Sequence, residues 1–326
     1  MTNSVPDKDT ISAAVALACR APSVHNSQPW RWVAERGSLQ LYSDPDRLLV
    51  STDAFGRQMI LSCGAALNHL QVALRSMGWQ ADIHRVPNPE NPAHLAAIEF
   101  RPTDEISATD VDRANAIGIR RTDRLPFADP ANWPTTEAAL RRLTDEHAVG
   151  CHVLTDDGRP QLATASELTA ALRRYDSLYQ AELHWWTGHS NLSEGVPREA
   201  LPSEFEHQRV PTGRKFPATN RPSRRPEVDQ DHSRIIVLTT NGECRLEWLQ
   251  CGEALSALLV EATVYGLATC SLTHITELPQ SREIVRKLIN GTGLPQVVIR
   301  VGITPEGEAA ESTPRRPLAD VLQMHE

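Results

Sequence analysis

The chain has 326 residues, with 33 Lys plus Arg against 41 Asp plus Glu, a formal net charge of -8. That length admits one large domain or two half-size units, and the acidic balance disfavours binding along a nucleic-acid backbone. No apolar run nears the roughly 18 residues of a membrane span, and the acidic opening MTNSVPDKDT is unlike a signal peptide, so neither membrane insertion nor secretion is expected.

Residues 10–21 (TISAAVALACRA) carry apolar groups at helical spacing, with Asp9 or Thr10 as cap and Pro22 as the stop. WRWVA and LQLYS follow as a hairpin around Gly37. A long helix is expected over about 54–77, ending at Gly78. Strands at 81–86 and 94–100 flank the proline-rich turn PNPENP, and a short helix at 108–118 precedes an arginine-rich turn. The alternation then repeats, with a helix at 135–147, a strand at 149–155 and a long helical stretch at 160–187 that ends in Trp185 and Trp186. Residues 188–233 are rich in proline and lack apolar periodicity, and an irregular stretch of that length suggests a lid or arm. RIIVLTT, a helix at 244–265, a helix at 281–290 and the strand PQVVIRVG complete the pattern before an extended tail.

The six cysteines (19, 63, 151, 244, 251 and 270) contain no CxxC pair, which predicts a reduced, cytoplasmic protein. The histidines show no HExxH, and His184 and His189 at i,i+5 face different ways, so no metal is expected. One internal match stands out. LSCGAALNHLQVALRSMG at 61–78 aligns without a gap with LQCGEALSALLVEATVYG at 249–266, eight identities in eighteen at a constant offset of 188. Gly64 and Gly252 recur inside the two helices at about 1 kcal/mol each relative to Ala, which predicts close helix-to-helix approach at a shared centre.

Two segments carry chemistry. APSVHNSQPW (21–30) offers Ser23, His25, Asn26, Ser27 and Gln28, a density of neutral donors and acceptors that suits a planar heterocycle or, equally, a loop that caps its own backbone. IRRTDR places Arg120, Arg121, Thr122 and Arg124 within five residues, an anion site by its guanidinium forks. Arg315 and Arg316 in TPRRPL could close on the same anion.

Together these residues resemble the nitroreductase family of flavoproteins. PSVHNSQPW is similar to the family's Pro-Ser-x-x-Asn-x-Gln-Pro-Trp loop, RRTDR to its Arg-Arg-Ser-x-Arg phosphate turn, and GLATC (266–270) to the Gly-Leu-Gly-Thr-Cys segment after the central helix. PQVVIRVG with RRPLADV resembles the closing strand and tail, so the likeness covers most of the chain except about 156–233. Here the loop precedes the arginine turn by almost a hundred residues, the reverse of ordinary members, an order most similar to the Acg-type branch of the family.

The resemblance implies an α+β nitroreductase-like fold, a mixed central sheet flanked by helices, in one chain built as a fused pseudo-dimer. Its halves would be 1–118, with the flavin-ring loop, and 119–326, with the phosphate turn and a lid-like insertion at about 175–215. It implies FMN, with Arg120, Thr122 and Arg124 on the phosphate and Arg121 and one of Arg315 or Arg316 assisting. Pro22, Ser23, Val24 and Asn26 would line the ring, and backbone N–H groups near Leu272 and Thr273 would approach N5 and O4. The family's Glu-Gly step is replaced there by SLTHITEL. Electrons would pass from NAD(P)H through the flavin to a nitro-aromatic, a quinone or a similar small acceptor, with no catalytic side chain required. The chain would be a monomer. Its alternatives are a catalytically weak FMN-sequestering protein with the Trp185–Trp186 lid closed over the flavin and, third, a flavin-free interaction protein.

Overall fold

A computed structural model describes residues 5–35, 37–187, 193–217, 219, 221–305 and 312–325. The first half runs α1 (Lys8–Ala18), β1 (Trp30–Glu35), β2 (Ser38–Ser43), α2 (Arg57–Ser76), β3 (Trp79–Arg85), β4 (His94–Pro102) and α3 (Ala108–Ile119). The second runs α4 (Trp133–Asp145), β5 (Gly150–Leu154), α5 (Arg159–Arg173), α6 (Ser177–Trp185), α7 (Glu204–Gln208), β6 (Arg234–Thr240), α8 (Arg245–Val264), β7 (Ala268–Leu272), α9 (Pro279–Leu288), β8 (Leu294–Gly302) and β9 (Leu322–Met324). Among the described residues no helix is long and apolar enough to cross a membrane.

The α+β organisation is present, its sheet component divided into two sheets. One has the order β3-β4-β2-β1-β9 and the other β5-β6-β8-β7. Apart from the parallel β1–β9 pair every strand pairing is antiparallel. Read from the opposite edge, the second sheet repeats the first: β5, β6, β7 and β8 take the places of β1, β2, β3 and β4. The helices repeat too. α2 joins β2 to β3 and α8 joins β6 to β7, while α1 packs on α2 and α4 on α8.

The two central helices cross at their glycines. A Cβ built on Gly64 would lie 2.1 Å from the Leu249 carbonyl oxygen, and one on Gly252 would lie 2.1 Å from that of Leu61. No side chain fits there, which is the packing reason for glycine in two helix interiors. Both helices are buried along most of their length, α2 against the first sheet and α8 against the second.

Several elements differ from the sequence-based expectation. Asp7, rather than Asp9 or Thr10, caps α1, its carboxylate accepting from Thr10 N at 2.8 Å. The stretch 160–187 is two helices, because Asp176 accepts from Tyr179 N and starts a new one after α5. β7 lies in a run of small residues without the apolar alternation of a half-buried strand. The tail ends as a strand on the far sheet, since β9 pairs with β1.

Candidate functional site

α1 stops before Pro22, and the chain from Ala21 to Pro29 turns through three non-glycine residues at positive φ: His25 at 49°, Asn26 at 57° and Gln28 at 49°. Backbone in that region is strained and persists only where surroundings hold it. The Ser23 hydroxyl accepts from Gln28 N at 2.9 Å, and the Ser62 hydroxyl on α2 accepts from Val24 N at 3.2 Å. Asn26 Nδ2 donates to the carbonyls of Gly195 (3.0 Å) and Pro314 (3.2 Å). Gln28 Nε2 donates to Ser193 O at 2.8 Å, and its Oε1 accepts from Arg316 N at 2.8 Å. The two buried amides thus fasten the loop to the long insertion and to the tail.

On one side of this loop lies a basic compartment lined by Arg20, Arg120, Arg121, Thr122, Arg124 and Arg315, with no acidic side chain among the described residues of its wall. Arg120 is buried, and its Nε and Nη1 have no hydrogen-bond partner. Burial, reinforced by Arg20, pulls its guanidinium down to about 10. Arg315 donates to Cys19 O and Arg20 O, both at 2.9 Å, and burial with Arg120 and Arg20 pulls it down to about 9. Arg121 pairs with Asp123 at 3.5 Å. Arg124 sits with its guanidinium 5.3 Å from the Phe216 ring centre and makes a 3.5 Å contact to Ala200 O. Buried cations without counterions are costly unless an anion joins them, and orphaned guanidinium N–H groups match phosphate oxygens. The compartment fits a phosphate group.

Pro22, Ser23, Thr122 and Arg124 form the wall shared with a second compartment. Its apolar surface comes from Val24, Leu61, Leu255, Leu272 and Val297, contributed by both halves of the chain. Its polar lining includes His25, Thr273, His274 and Arg214. Arg214 is ion-paired with the fully buried Glu277 carboxylate and donates to Tyr179 Oη at 2.7 Å and Thr273 Oγ1 at 3.4 Å. His25 meets Phe216 edge-on at 6.4 Å, and its Nε2 has no partner. Burial, then Arg214 and Arg124, hold His25 well below the usual imidazole range, so it is neutral at pH 7. An apolar slot with a few convergent polar groups suits a flat aromatic ligand.

No family model matches the chain. A Mycobacterium tuberculosis protein provisionally named NAD(P)H nitroreductase Acg is 49% identical over 325 residues, covering 99% of this chain and 98% of its own length. The chain belongs to the Acg-type NAD(P)H nitroreductase family. A second provisionally named NAD(P)H nitroreductase of the same organism is 39% identical, covering 100% of this chain and 94% of its own. Among solved structures the chain is similar to the FMN-dependent nitroreductase NfnB from Mycobacterium smegmatis in complex with NADPH (14% identity, TM-score 0.41, 67% of this chain and 100% of that one). It is also similar to a nitroreductase with bound FMN from Desulfitobacterium hafniense (13% identity, TM-score 0.42, 66% and 98%).

The residues that the nitroreductase resemblance singles out fall into two groups. Arg120, Arg121, Thr122, Arg124 and Arg315 meet in the basic compartment, whereas Arg316 turns away toward Asp44 (3.6 Å) and Gln28 O (3.2 Å). Pro22, Ser23, Val24, Leu272 and Thr273 line the apolar compartment, and Asn26 lies on the basic side. Arg20, Arg214 and His274 were not singled out from the sequence. Arg20 alone carried a readable signal, as a basic residue directly before the loop motif.

The segment between α6 and β6 contributes to the wall of the apolar compartment, but not with the tryptophan pair. Pro202, His207, Val210, Gly213, Arg214 and Phe216 form the roof. Trp185 is 57% exposed, and Trp186 lies 5.7 Å from the Arg47 guanidinium. The reason is the anchoring of α6 on the outside, where the Glu182 carboxylate accepts from Ser51 N (2.9 Å) and Thr52 N (2.8 Å). Residues 188–192 of the expected lid lie outside the described residues. The cysteines of the core remain thiols held up by burial, Cys251 to about 12, which suits packing rather than redox chemistry.

Proposed function

We propose that the chain binds one FMN and passes electrons from NAD(P)H to a small acceptor such as a nitro-aromatic or quinone. The observation that carries this reading is the pairing of an arginine-rich compartment, in whose wall Arg120 Nε and Nη1 lack a hydrogen-bond partner, with an apolar slot across the shared wall at Ser23, Thr122 and Arg124. Arg120, Arg124 and Arg315 hold the phosphate, with Thr122 donating its hydroxyl and Arg121 assisting. Pro22, Ser23 and Val24 support the ring, and the main chain at Leu272 and Thr273 faces its reactive edge. When bound, FMN supplies the hydride chemistry. The residues supply position and exclude water, the roof from Pro202 to Phe216 closing the slot.

The halves 1–118 and 119–326 act as fused subunits, each giving a different part of one site, and the chain is a monomer. The test is flavin release from the purified protein. One FMN per chain is expected; FAD, or two flavins per chain, would overturn the reading. A second reading, an FMN-sequestering protein with little turnover, is favoured by the packing of Phe216 against both Arg124 and His25 in the roof.

A further inference from the structure

His274 follows Thr273 at the end of β7, and its buried imidazole lines the apolar compartment. Its hydrogen-bond partner comes from α5. The Ser166 hydroxyl lies 3.1 Å from the Gly213 carbonyl oxygen and 2.9 Å from His274 Nε2. A serine has one proton and a carbonyl can only accept, so the one arrangement in which both contacts are hydrogen bonds has Ser166 donating to Gly213 O and accepting from an Nε2–H. In that arrangement Nδ1 is a bare lone pair. It is buried and has no protein partner. The charged alternative is closed as well, because burial, then Arg214, His207 and His25, hold this imidazole well below its usual range.

An unsatisfied buried acceptor in a ligand-binding wall selects ligands that carry a donor. Resting on the FMN reading, the geometry points to His274 as the group that distinguishes the cofactor's two redox forms. The oxidised isoalloxazine ring carries a lone pair at N5, whereas the ring that has gained two electrons and a proton carries N5–H. Nδ1 of His274, beside Leu272 and Thr273, accepts that N–H and so favours the reduced cofactor. Family members supply a backbone donor from their Glu-Gly step. Here the His274 imidazole adds an acceptor to that stretch.

The test is the midpoint potential of FMN on the full chain, measured anaerobically against a reference dye in wild type, His274→Leu and Ser166→Ala. Losing the acceptor is expected to weaken reduced FMN about tenfold relative to oxidised FMN, a fall of about 30 mV for a two-electron couple. Ser166→Ala keeps the imidazole but frees its tautomer, and the potential is expected to fall in the same direction. An unchanged potential in His274→Leu that still binds FMN overturns the proposal, as does equal weakening of both redox forms. If His274→Leu does not fold, the Ser166→Ala potential decides alone. A wild-type chain that takes up no FMN overturns the cofactor reading itself, and this proposal with it.

Discussion

Gly64 and Gly252 face each other where α2 crosses α8, each opposed to the main chain of the other helix, and the two positions are separated by the same 188 residues that separate the matched segments. The relation extends along the axis. Asn68 and Ser256, again 188 apart, meet directly, the serine hydroxyl donating to Asn68 Oδ1 at 2.8 Å. Residues at equivalent positions touch only near a local two-fold axis, so the two helices form the seam of an internal duplication.

Gly64→Ala is expected to destabilise the fold by about 1 to 3 kcal/mol or more, because its methyl would overlap the Leu249 carbonyl. Gly118→Ala on α3 is the contrast. Its Cβ meets nothing within 4 Å, and helix propensity predicts a gain of up to about 1 kcal/mol. Urea denaturation of the two variants beside wild type checks the pair.

Replacing Arg120 and Arg124 together with Ala removes two charge-assisted contacts of roughly 1.5 to 3 kcal/mol each. FMN affinity is expected to drop by well over tenfold. Fluorescence titration of flavin-free protein measures it, and full retention of affinity would place the phosphate elsewhere.

The same compartment sets a pH dependence. Arg315, pulled down to about 9 by burial and by Arg120 and Arg20, loses its proton in the ligand-free chain as pH rises past that value. A phosphate dianion binds the protonated form, so binding takes up a proton there, and FMN affinity should decline progressively from about pH 9 upward. Titration at pH 7, 8, 9 and 10 checks this, and a flat profile would argue against Arg315 as a phosphate contact.

Asp53 caps α2 by accepting from Gln58 N (3.0 Å) and Met59 N (2.8 Å), yet burial raises its carboxyl to about 6. Its folded-state value exceeds the ordinary 3.8, so in the window from about pH 4 to 6 the folded chain binds more protons here than the unfolded chain. The contribution of Asp53 to stability is therefore present below pH 4 and lost as pH rises through about 6. Asp53→Asn keeps an acceptor without the charge and is expected to flatten this part of the profile, by at most about 3 kcal/mol. Denaturation midpoints between pH 4 and 8 report it.

Phe216→Ala is expected to speed reduction of bound FMN by NADPH in stopped-flow absorbance, because the ring closes the roof over His25 and beside Arg124. No change in rate would mean that access through this part of the roof does not limit the reaction.

Most elements were legible in the sequence because they are local. The hairpin around Gly37, the stop at Pro22 and the apolar spacing of α2 and α8 follow from backbone sterics and side-chain period within a few residues. So did the glycine crossing, since two interior glycines at matched positions have few explanations other than close approach. The arginine turn was readable either as an anion site or as a solvated basic turn, and the fold gathers its side chains into one basic compartment.

What tertiary structure alone decided is which partner each polar group meets. Asn26 and Gln28 were equally readable as ligands or as loop caps, and their partners are Gly195, Pro314, Ser193 and Arg316, some 165 to 288 residues away. Arg315 and Arg316 are adjacent and chemically identical, yet one enters the basic compartment and the other meets Asp44. The roof came from Phe216 and its neighbours rather than from the tryptophans, since Glu182 ties α6 to the Ser51–Thr52 backbone. Sequence patterns encode period and chirality, which are local; hydrogen-bond satisfaction and burial are set through space, by residues that only the completed fold brings within 3 Å.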